Sequence, residues 1–135
     1  MRRWPWAAAA GAAAAAAFAR PFRVEVAGES MMPTLRPGDW LLATRGGRIG
    51  PGSVVVLRHP GRALDLVKRV RAVPGDEVEG RILGADEYLV VGDNESASTD
   101  GRRFGPIPRE AIEGVVRFRY RPDPGPVRAS LRPGR

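Results

Sequence analysis

A chain of 135 residues with no cysteine excludes a disulfide framework, thiol catalysis and thiolate metal sites, and its single histidine, His59, excludes a histidine metal cluster and argues against a histidine-based triad. The length fits one domain. The net charge of +7 does not describe a nucleic-acid face: Arg2, Arg3 and Arg20 give +3 to residues 1–20, four arginines against Asp123 give +3 to residues 121–135, and the span between them holds 15 basic and 14 acidic residues.

In chain order, the first expected element is a hydrophobic segment over residues 1–21. Sixteen uncharged residues, Trp4 to Ala19, lie between arginines. As a helix they span about 24 Å at 1.5 Å per residue, so crossing a hydrocarbon core of roughly 30 Å requires Phe22 and a snorkelling Arg20. Trp4 and Trp6 stand where interfacial anchors stand. A membrane anchor contacting lipid through residues 4–19 is the leading reading. A cleaved signal peptide ending at Ala17-Phe18-Ala19 and a soluble alanine helix are its competitors. Arg2 and Arg3 favour an N-terminus inside and the following domain on the outer face.

From Phe22 the helical period stops. Short strand-like runs follow at 22–26, 40–43, 53–59, 64–73, 77–83, 87–91 and 114–120, separated by Pro-Gly and Gly-rich breaks such as Pro37-Gly38, Pro51-Gly52 and Pro74-Gly75. This predicts an all-β barrel or sandwich over residues 22–120, with a short helical turn near 108–112. Residues 121–135 are rich in Pro, Gly and Arg and read as a disordered basic tail.

Two residues carry the chemistry. Ser30 follows the first strand in Gly28-Glu29-Ser30-Met31-Met32-Pro33-Thr34, where a hydroxyl and a backbone donor can both be presented. Lys68 is the only lysine among 22 basic residues. Arginine stays protonated, whereas a buried lysine can lose its proton and act as a base. Strand alternation puts Lys68 with Leu64, Leu66 and Val70 on an aliphatic face, and leaves Asp65, Val67, Arg69 and Arg71 on the other, with Arg69 as the solvated charge. A Ser–Lys dyad is a known alternative to Ser–His–Asp.

Three ordered stretches then resemble the signal peptidase I family: Gly28-x-Ser30-Met31-x-Pro33-Thr34-Leu35-x-x-Gly38-Asp39, Lys68-Arg69-Val70-x-Ala72-x-Pro74-Gly75-Asp76, and Gly92-Asp93-Asn94-x-x-x-Ser98-x-Asp100-x-Arg102-x-Phe104-Gly105. The resemblance implies a mostly β serine endopeptidase, anchored by its N-terminal segment, that needs no cofactor or metal. In it Ser30 is the nucleophile and Lys68 the general base. Ser98 is implied to hydrogen-bond the lysine, Asp100 and Arg102 to form a buttressing pair, and the Gly92-Asp93-Asn94 turn to fix the loop that delivers Ser98. Val26, Met31, Leu35 and Val67 match apolar positions that line a shallow pocket, selecting small residues such as Ala-x-Ala before the cut in a precursor protein or peptide.

Two positions depart from many relatives. Gly101 stands in place of a serine, and Gly28 in place of a serine whose hydroxyl joins the oxyanion hole in some members. The short interval between Lys68 and Gly92 marks a compact member. The stretches Leu57-Arg58-His59-Pro60 and Gly92 to Asp100 resemble the nickel-type superoxide dismutase maturation proteases in particular. A general secretory signal peptidase and a degenerate membrane-bound binding module are the alternatives. A self-cleaving repressor-type protease would need a DNA-binding domain that residues 1–20 do not supply.

Overall fold

The computed structural model of the chain describes residues 20–97 and 100–129. The hydrophobic helix expected within residues 1–21, and its lipid contact, lie outside the described residues as far as Ala19, and Pro21 already opens the first strand. Among the described residues no helix is long and apolar enough to cross a membrane.

The described residues form nine strands: β1 (Pro21–Glu25), β2 (Trp40–Thr44), β3 (Val54–Arg58), β4 (Asp65–Ala72), β5 (Glu77–Val78), β6 (Arg81–Ile82), β7 (Leu89–Val91), β8 (Ile112–Arg121) and β9 (Gly125–Pro126). A four-residue helix, α1 (Gly101–Phe104), and two 3-10 turns, η1 (Glu95–Ala97) and η2 (Arg109–Ala111), complete the described elements. The fold is therefore mostly β, and η2 supplies the helical turn expected near 108–112.

One antiparallel sheet runs β1-β2-β8-β3-β4-β7, with β9 added to β8. β3 is its centre. Val54 to Leu57 are all buried, an uninterrupted apolar run with both faces covered. Val54 and Val56 face one cluster with Val26, Met31, Leu35, Leu41, Ala43 and Val116. Val55 and Leu57 face a second with Val70, Val90, Ile107, Ile112 and Val115. β1 and β4 are separated in the sheet by β2, β8 and β3, yet residues of both line a single cleft, so the sheet curls back toward itself without closing. Four antiparallel steps separate them, which makes the two strands parallel across that cleft.

Two expectations are corrected. The run 77–83, read as one strand, is the β5–β6 hairpin, with Glu77 opposite Ile82 and Val78 opposite Arg81. Its turn residues Glu79 and Gly80 both have positive φ, 52° and 78°, the geometry of a two-residue hairpin turn. Residues 121–129, expected to be disordered, are packed: Arg121 ends β8, β9 pairs with Phe118 and Arg119, and Val127 lies against the first cluster. Apolar contact and ladder bonds hold a Pro/Gly-rich stretch that composition reads as loose.

Candidate active site

Ser30 sits in a loop that leaves β1 and returns to β2. Val26 N donates to Asp39 O (2.9 Å) and Gly38 N to Val26 O (2.8 Å), closing the base of the loop. Gly38 has φ +89°, which Pro37-Gly38 supplies without a Cβ penalty. Within the loop Met32 N bonds Glu29 O (3.1 Å) and Leu35 N bonds Met31 O (3.0 Å). This turn directs Met31 and Leu35 into the core and leaves Ser30 half-buried on the cleft. The turn after β7 clasps the loop from outside: Asn94 N donates to Ser30 O (2.8 Å) and Asn94 Nδ2 to Glu29 O (3.1 Å).

Lys68 pairs with Val55 in the β3–β4 ladder and so faces the second cluster beside Leu66 and Val70. It is 2% exposed. Burial pushes its ammonium below the usual lysine range; the Asp100 carboxylate opposes that shift and the Arg102 guanidinium adds to it. Asp100 is itself 1% exposed and fully engaged. Its Oδ2 accepts from Gly92 N (2.9 Å) and Arg102 Nη2 (2.6 Å), and its Oδ1 from Arg102 N and Nε (both 3.0 Å). Asp100 is thus paired with Arg102 while it also opposes the burial-driven shift of Lys68. Ser98 lies outside the described residues.

Arg69 corrects the sequence reading. It is buried, not solvated, and faces the first cluster opposite Val54. Its Nε and Nη2 grip Asp93 Oδ1 and Oδ2 (2.8 and 2.9 Å), and its Nη1 donates to Gly52 O (2.8 Å) and Arg128 O (3.2 Å). Asp93 Oδ2 also accepts from Thr34 Oγ1 (2.5 Å). Asp93 therefore links β4 to the serine loop. Thr34 and Arg69 were not singled out as site residues in the sequence. The available signal was an arginine on the face that alternation shares with Val67, a position needing a carboxylate if it is buried.

The cleft measures about 740 Å³ and is lined by Ser30, Gly28, Val26, Met31 and Val67 among others, with Val56 on its floor. Leu35, expected to line the pocket, is wholly buried in the core behind Met31 and does not line it. β1 pairs only with β2, and β4 meets β7 only from Arg69 onward, so the backbone edges of Pro21–Glu25 and Asp65–Val67 have no strand partner among the described residues. β1 runs toward the end of the cleft where Ser30 follows it; Lys68 follows Val67 on β4 but faces the second cluster and is not among the residues lining the cleft. The two glycines differ. A Cβ at Gly28 would meet nothing within 4 Å, whereas one at Gly101 would meet Val90 O at 2.6 Å and Leu89 Cδ1 at 2.8 Å.

The family model for signal peptidase, peptidase S26, matches residues 2–83 and 79–121. The mitochondrial ATP-independent inner membrane protease subunit 1a of Arabidopsis thaliana is 36% identical over 115 residues, covering 72% of this chain and 68% of that protein. Signal peptidase IB of Staphylococcus aureus (strain Mu50) is 30% identical over 146 residues, covering 72% of this chain and 76% of that protein. That alignment is longer than the whole of this chain, so the bacterial relative carries residues that this one lacks. A wholly buried lysine on β4 and a half-buried serine in the loop after β1 are thus joined to a family match over most of the sequence: the chain belongs to the signal peptidase I family, peptidase S26, and is a serine endopeptidase.

Proposed function

We propose that this endopeptidase is membrane-associated and removes N-terminal segments from precursor proteins by a Ser30–Lys68 dyad. The observation that carries the reading is the burial of Lys68, which favours the neutral amine a general base needs. The peptide lies extended between the free edges of β1 and β4, hydrogen-bonded as an added strand. Ser30 Oγ attacks the scissile carbonyl while its proton passes to Lys68 Nζ. The Ser30 backbone N–H bonds the resulting oxyanion, and Lys68 returns the proton to the leaving amine. Water, deprotonated by the same lysine, then hydrolyses the acyl-enzyme. Ser98 orients Lys68 in this scheme without adding a charge. Val26, Met31 and Val67 make a shallow apolar subsite that admits a small side chain before the cut.

The test is a Ser30→Ala and Lys68→Arg pair assayed on an Ala-x-Ala peptide. Both lose turnover, the first because Ala has no hydroxyl to attack the carbonyl and the second because Arg does not give up its proton. Wild-type turnover in either would overturn the dyad.

The finer reading is a maturation protease for a nickel-type superoxide dismutase precursor, supported by the resemblance of Leu57-Arg58-His59-Pro60 and of Gly92 to Asp100. The similarity to a signal peptidase IB favours a second reading, general secretory signal peptidase. Cleavage of the dismutase precursor much faster than a secretory precursor selects the first, and the reverse selects the second. Membrane location is supported by the apolar run 4–19 and by similarity to an inner membrane protease. A protease-protection assay on membranes decides which side carries the catalytic domain.

A further inference from the structure

We infer that the C-terminal segment 122–128 positions the loop carrying the nucleophile, and that it acts through Thr34. This rests on the reading of Ser30 as nucleophile. After β8 the chain turns back at Pro122–Pro124, and Gly125 and Pro126 add to β8 opposite Arg119 and Phe118. Val127 N donates to Arg117 O (3.2 Å), and the Val127 side chain packs on the cluster that contains Val26, Met31 and Leu35. The segment therefore packs on the same cluster that holds Met31 and Leu35 of the serine loop.

Two arginines then join the segment to one residue. Arg119 Nε donates to Asp123 O (2.8 Å) and its Nη1 to Thr34 O (3.4 Å). Arg69 Nη1 donates to Arg128 O (3.2 Å), while its Nε and Nη2 hold Asp93, which accepts from Thr34 Oγ1 (2.5 Å). The carbonyl and the hydroxyl of Thr34 are thus fixed by different arginines, and each arginine also bonds a backbone carbonyl of the segment. Thr34 lies four residues after Ser30 in a loop with few internal bonds. None of these groups lines the cleft beside Ser30, so they are positioning residues. The segment itself is not part of the β2–β8–β3 pairing, which uses only residues up to Arg121.

The experiment compares a full-length Thr34→Val chain, a chain ending at Arg121 and a chain ending at Ala129. The readouts are kcat, KM, melting and amide exchange at Met32 and Leu35. Thr34→Val and the chain ending at Arg121 should melt cooperatively, keep KM and lose kcat by about 10- to 100-fold, the scale of a misplacement near 1 Å. Met32 and Leu35 should exchange faster in both, and the chain ending at Ala129 should match wild type. Wild-type kcat and exchange in Thr34→Val overturns the inference, even if the shorter chain fails to fold. Exchange is read without turnover. A fully active Ser30→Ala would sink the dyad alone, while the exchange rates would still decide whether the segment holds the loop.

Discussion

Lysine 68 is held where its charge is unwelcome, and that has a consequence for stability as well as for chemistry. In the unfolded chain it titrates at about 10.4; in the folded chain burial moves it lower, against the opposing pull of Asp100. Between those two values the unfolded state binds the extra proton, so stability rises with pH across that window. Below the folded value both states are protonated and the full cost stands. Lys68→Met, similar in length and apolar, should therefore be more stable than wild type at pH 7, by roughly 1.4 kcal/mol for each pKa unit of the shift. It should also lack the rise at alkaline pH. Denaturant unfolding from pH 6 to 10 checks both, and turnover of the wild type should rise with pH through the same lowered pKa. A Lys68→Met chain less stable at every pH would mean that the lysine is held by its partners more than it is penalised by burial.

At the scale of elements, α1 and the serine loop tolerate change very differently. α1 packs so closely on β7 that Gly101 has no room for a side chain, while Gly28 faces open space. In the sequence Gly101 stood in place of a serine; the structure makes it a packing requirement. Gly101→Ser should cost about 1–3 kcal/mol through overpacking, and Gly28→Ser no more than about 0.5 kcal/mol either way. If the new hydroxyl reaches the oxyanion, Gly28→Ser also raises kcat. Equal thermal shifts in the two variants would show that α1 yields where it is drawn rigid.

The same elements show what a sequence discloses. Strand runs punctuated by Pro-Gly turns were legible, as was the aliphatic face that carries Lys68, because each depends on local pattern. The β5–β6 hairpin was not, since Glu79 adopts a positive φ that only glycine advertises. Arg69 was not, since its burial depends on Asp93, 24 residues away, and on carbonyls of Gly52 and Arg128. Val127 was hidden for a related reason: one apolar residue in a Pro/Gly-rich stretch gives no period, yet it finds the core.

On the scale of the whole molecule, the curl of the sheet forms the cleft in which the proposed peptide would lie. Two backbone edges that have no strand partner among the described residues, Pro21–Glu25 and Asp65–Val67, face one cleft and run parallel toward Ser30. In an extended peptide, successive N–H groups point to opposite sides. Addition to a single edge would use every second residue, whereas a peptide seated between two edges uses consecutive ones. Each ladder bond contributes about 0.5–1.5 kcal/mol, so N-methylating one substrate residue should lower kcat/KM by about 2- to 10-fold. An N-methyl scan along the residues before the scissile bond should therefore show losses at neighbouring positions. Pro21, which has no N–H, receives no bond from its own amide and offers only its carbonyl, so the losses should fade toward the end of the cleft far from Ser30. Losses at alternate positions would leave one of the two edges without a role, and a flat scan would remove strand addition altogether, leaving the small-residue subsite of Val26, Met31 and Val67 to select the substrate by side chain alone.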